Sequence, residues 1–211
     1  MLRRTAAIIL MGGLLGGIAS AQESRSPFAR LFATHFDSMQ RDTFVARWGH
    51  DKTLGDLLPD GMLFRMSDSA VVMLSLVLVN SFRQVPLQEC AAFAPIGTKA
   101  GLDLMGLADQ VDSPTAVQWV AVMHQMMLTG LYNLPRGRAL PPDSVFVALR
   151  EMTQRWPVDE RQRVERAMSD TRPTQAERCF KAKLLFGSLA AMPPRQAGPL
   201  FRGLMAMGGA R

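Results

Sequence analysis

Two cysteines, three histidines and fifteen methionines are what this 211-residue chain offers to chemistry. Cys90 and Cys179 lie 89 positions apart. Redox pairs usually lie as Cys-x-x-Cys, which lowers one thiol's pKa, so this wide spacing points to one structural disulfide instead. Such a bridge closes a loop whose lost chain entropy corresponds to about 4 to 5 kcal/mol. The charged neighbours Glu89, Glu177 and Arg178 read as solvated side chains on helix surfaces, where ion pairs contribute little.

His124 is the polar residue that most invites a role. A helix over residues 114–132 would place it in a stripe with Val117, Val120, Met127, Leu128 and Leu131, opposite Gln118, Gln125 and Thr129. A histidine on an apolar face must satisfy its ring nitrogens, and burial lowers its pKa. It is therefore the candidate general base of an envelope hydrolase, working with a carboxylate distant in sequence. The plainer reading is a core residue bonded to a carbonyl or carboxylate. Met123, His124 and Met127 form the candidate metal set, since thioether and imidazole ligands suit Cu(I). Met126 points elsewhere, and methionine also fills gaps in helical cores.

The remaining constellations are incomplete. His35 and His50 lack the neighbouring ligands that zinc needs. Gly187-Ser188 lacks the Gly-x-Ser-x-Gly elbow of a serine nucleophile. Asp103, Asp109 and Asp112 lack the glycine and terminal Glu of a calcium loop. No cofactor is expected.

The elements that must position these residues are helical throughout. Phe28, Leu31, Phe32, His35, Phe36 and Met39 recur at three- and four-residue steps. Ser67-Asp68-Ser69 reads as a cap before Ala70–Val79, which is apolar on all sides and is expected to be the central, enclosed helix. Pro86 opens a short helix carrying Cys90 and Phe93. A second short one is expected over 102–108. Ser113 is the expected cap of the long helix carrying His124, with Pro114 at its first position. Further helices are expected from Asp143 or Ser144 to Trp156, over 159–168 and over 174–191. The last is expected over 195–207, interrupted at Gly198-Pro199. Helices bury a stripe only against other elements, so the expected fold is all-α, a compact bundle of about seven or eight helices.

The first 21 residues bear on destination. Arg3 and Arg4 precede an uncharged run from Thr5 to Ile18, then Ala19-Ser20-Ala21. Charged start, short apolar middle and small residues at the cleavage point form the pattern of an export signal. Residues 1–21 are thus the expected leader, and 22–211 a single domain. The formal charge of +6 falls to +4 when Arg3 and Arg4 leave. Twenty of the 24 basic residues are arginine, scattered along the chain without a cluster, so nucleic acid is not an expected partner. No transmembrane helix is expected in the mature chain. Together these features imply an exported bacterial envelope protein, periplasmic or secreted. Its expected role is a non-catalytic binding or adaptor one, towards another envelope protein or an apolar ligand held between helices. The hydrolase and metal-handling readings are the alternatives.

Overall fold

Ser67 sets the start of the element around which the others pack. Its side-chain oxygen accepts the Ala70 amide at 3.1 Å, which satisfies one of the donors left open at a helix start. The computed structural model describes Pro27, Leu31 and residues 62–93, 104–132, 134–169 and 173–209. Among these residues there are nine helices and no strand. They are α1 (Met62–Arg65), α2 (Asp68–Ser81), α3 (Leu87–Ala92), α4 (Leu104–Ala108), α5 (Ser113–Leu131), α6 (Pro142–Gln154), α7 (Val158–Ser169), α8 (Gln175–Ala191) and α9 (Pro194–Gly209). The all-α expectation holds. The helix beyond the expected count is α1, a four-residue turn ahead of the Ser67 cap. The leader, the 28–39 pattern apart from Leu31, His50 and Asp103 lie outside the described residues.

α2 packs against α8, α9 and α5. Ala70, Val71, Leu74, Val77, Leu78 and Phe82 fill its inner side. The helix is central but not enclosed: Met73 and Leu76, three residues apart, are 40% and 49% exposed. An apolar circumference does not bury itself, because three neighbouring helices leave an outer strip uncovered. α5 runs antiparallel to α2. Gln84 reaches Thr115 near the start of α5, Trp119 reaches Ser81, and Arg65 reaches the Leu134 carbonyl beyond its end.

The core joins these helices through aromatic and aliphatic contacts. Phe82 lies 5.3 Å from Phe93 and 5.9 Å from Phe186, ring centre to ring centre, at tilted angles that aromatic quadrupoles favour. Trp119 is fully buried and its indole donates to Ser81 Oγ at 2.8 Å. Ser81 in turn donates to the Val77 carbonyl, so the one polar atom of each residue is satisfied.

Three helix boundaries differ from the sequence expectation. Asp112, not Ser113, caps α5: its carboxylate accepts the Thr115 amide at 3.0 Å and its carbonyl accepts from Ala116. Gln84, at the end of α2, accepts the Asp112 amide at 2.7 Å and fixes that choice. α6 begins at Pro142, which supplies a pre-set backbone angle at a position needing no donor. α9 continues through Pro199. A proline inside a helix removes one backbone bond, but this turn is held from outside, with the Pro199 carbonyl accepting from Leu140 at 3.0 Å.

Candidate functional site

The disulfide is formed. Cys90 of α3 and Cys179 of α8 are bonded with Cα atoms 5.0 Å apart. Both residues are buried, at 0% and 3% exposure. α3 packs closely on α8 around them. Glu177, beside this bridge in sequence, completes a capping box with Thr174: Thr174 Oγ1 accepts the Glu177 amide, and the Glu177 carboxylate accepts the Thr174 amide at 2.7 Å.

α5 carries the histidine and methionine candidates, turned differently from the expected stripe. Its buried side is Ala116, Trp119, Val120, Val122, Met123, Met126 and Thr129. Val117, expected inside, is 53% exposed, and Thr129, expected outside, is 4% exposed with its hydroxyl on the Gln125 carbonyl. Trp119 decides the rotation, since a large indole with a buried partner outweighs a valine. His124 falls half-buried at the edge of the stripe, on the opposite side from the Gln118–Asn80 hydrogen bond. Met123 is 1% exposed and points into the core. The Met127 side chain lies outside the described residues. Among the described residues no group of three or more His, Cys, Asp or Glu could hold a metal ion. Asp112 is a helix cap, and Ser188 accepts the Trp156 indole at 2.7 Å.

Sequence reasoning missed Arg202. It lies on α9, is 2% exposed and makes a hydrogen bond from each of its three guanidinium nitrogens. Nε donates to the Arg138 carbonyl at 2.8 Å, Nη1 to the Met66 carbonyl at 3.0 Å and Nη2 to Asp68 Oδ1. This one side chain joins the start of α2, the last helix and the extended connector 134–141. The connector is also tied by Gly137 N to the Phe64 carbonyl at 2.8 Å. Three glycines make room. A Cβ on Gly137 would stand 2.8 Å from Arg202 Nε. One on Gly198 would meet the Asp68 carboxylate and stand 2.9 Å from its Cα. One on Gly203 would stand 2.9 Å from the Leu140 carbonyl. These glycines were the signal available in the sequence, but they name a close approach without naming the arginine that makes it.

Apolar side chains remain on the outside of this braced frame. Phe146 and Val147 of α6 are 57% and 56% exposed. Arg136 stacks over Phe64, 5.9 Å from the ring centre. At the other end, Arg163 lies 4.0 Å from the Phe180 ring centre and, with Arg166, Thr174, Ala176 and Glu177, lines an open cleft of about 370 Å³. Two carboxyls, on the exposed Asp112 and the half-buried Glu177, sit below the usual carboxylate range. The Thr115 hydroxyl and amide lower Asp112, and the Thr174 amide and hydroxyl lower Glu177.

The fold and site define a disulfide-braced helical protein. Comparison of the chain with protein-family models, curated proteins and solved structures finds no match.

Proposed function

We propose that this chain is an exported, non-catalytic binding or adaptor protein of the bacterial envelope. The observation that carries the reading is the pairing of a buried Cys90–Cys179 bridge with large apolar side chains held outside on braced helices, Phe146 and Val147 foremost. A bridge persists in an oxidising compartment, and the leader-like residues 1–21 supply a route to one. No helix among the described residues is long and apolar enough to cross a membrane. Exposed apolar side chains rimmed by polar ones are what a partner surface needs.

The test has two readouts from one strain expressing the full chain. N-terminal sequencing of the envelope fraction should find Gln22 first. A photoreactive benzoylphenylalanine in place of Phe146 should crosslink to a defined envelope component. A chain that stays in the cytoplasm with its leader attached and its cysteines reduced overturns the reading.

A further inference from the structure

The end of the bundle where α1 meets the chain leaving α5 gathers arginines and exposed apolar groups. Tyr132 is 71% exposed and Leu134 43%. Arg65 donates to the Leu134 carbonyl at 2.6 Å, which brings α1 to this point. Arg136 and Arg138 follow, both exposed, and neither is ion-paired to a described residue. The stretch from Leu134 to Pro142 contains no acid. Asp143 follows at the start of α6, and Asp68 is already engaged by Arg202. The connector is also held in place: its backbone is pinned at Gly137 by Phe64 and at Arg138 by Arg202.

We propose that this end docks on an anionic phospholipid surface. Guanidinium groups take phosphate oxygens in a fork, which a headgroup layer supplies repeatedly. Tyrosine and leucine among cations suit the boundary between headgroups and acyl chains. An acidic protein segment would answer the charges alone, whereas a lipid surface answers both the charges and the two apolar side chains. The proposal deepens the binding reading above and rests on it, since export brings the chain beside a bilayer.

The test uses protein recovered from cells expressing the full chain, with its disulfide intact. It is sedimented with vesicles of phosphatidylcholine alone and of phosphatidylcholine mixed with phosphatidylglycerol. Sedimentation is expected with the anionic vesicles only and should fall as salt rises. Replacing each arginine by alanine should lower partitioning roughly fivefold, and R136A/R138A together roughly 25-fold. Both side chains are exposed, and the Arg138 carbonyl that Arg202 needs is kept, so the melting temperature is the control for folding. Tyr132→Ala is a second, independent variant and should weaken binding without changing its salt dependence. Absent sedimentation, equal sedimentation with both vesicle types, or an R136A/R138A protein that behaves as wild type overturns the proposal. Binding to polyaspartate without binding to vesicles also overturns it and assigns the end to an acidic protein. An envelope-located chain that crosslinks through position 146 yet ignores vesicles would leave the binding reading standing and remove this one.

Discussion

Arg202 and Asp68 are 134 residues apart in sequence and form an ion pair 2.5 Å long, with the arginine side chain buried and the aspartate about one-third exposed. The pair closes the last helix onto the start of the central one. The other guanidinium nitrogens bond to main-chain carbonyls, so the arginine is a three-way tie between segments distant in sequence. Removing the acid leaves a buried charge with neutral partners only. Asp68→Ala is expected to cost about 2 to 4 kcal/mol in urea unfolding at neutral pH, discounted from the fully buried case because water reaches the carboxylate. Asp68→Asn keeps an oxygen acceptor and should cost less. Equal losses would mean that a neutral acceptor rescues nothing and the charge of Asp68 carries the whole contribution, whereas an Asp68→Asn protein as stable as wild type would mean that the charge contributes nothing.

The glycines around Arg202 should behave unlike a glycine elsewhere. Gly203→Ala drives a methyl towards the Leu140 carbonyl and Val145, neither a loose side-chain end. A loss of about 1 to 3 kcal/mol is expected. At Gly187 on α8 the nearest atom to an added Cβ is Val79 Cγ2 at 4.0 Å. Gly187→Ala should therefore raise stability by about 0.5 to 1 kcal/mol, as helix propensity dictates. Thermal melts of the two variants side by side check the contrast.

Replacing both cysteines by alanine should lower stability by about 4 to 5 kcal/mol, because the open chain regains the entropy of a long loop. Reduced wild-type protein should unfold at nearly the same urea concentration as the double variant. Unchanged unfolding after reduction would show that α3 holds to α8 without the bond.

Acid should loosen two helix starts. Asp112 and Glu177 have folded-state pKa values below their unfolded ones, so the unfolded chain binds protons first as pH falls. Their contribution is complete above about pH 4 to 5 and is lost below that, as pH drops through the depressed folded values. D112N and E177Q should each flatten the acid limb of a stability-against-pH curve and leave the limb above pH 7 unchanged. An acid limb equally steep in both variants would contradict this.

Where the determinants are local, the sequence told enough. Ser67, Thr174 and Pro86 start their helices because each needs only its own next few residues, and all three were readable. Two cysteines allow one intramolecular pairing, and it formed. Apart from the start of α6 at Pro142, the misreadings trace to partners from elsewhere in the chain. Gln84 moved the cap of α5 back to Asp112, Ser81 drew Trp119 inward and rotated Val117 out, and Leu140 supported α9 through Pro199. For the site the sequence marked His124, while the structure singles out a buried arginine and an exposed end. An arginine reads as surface in any one-dimensional pattern, and only three converging acceptors make it an interior residue.

The Cys90–Cys179 bond also has a consequence for timing. Translation runs from the N-terminus, so the thiol of Cys90 emerges long before its partner and waits while four whole helices, α4 to α7, are made. Both sulfurs end up shielded from solvent. An oxidant must therefore act before α8 settles against α3, and a reductant can act only after the two part again. The bond is set during a brief opening in the life of the chain and is kinetically sealed afterwards.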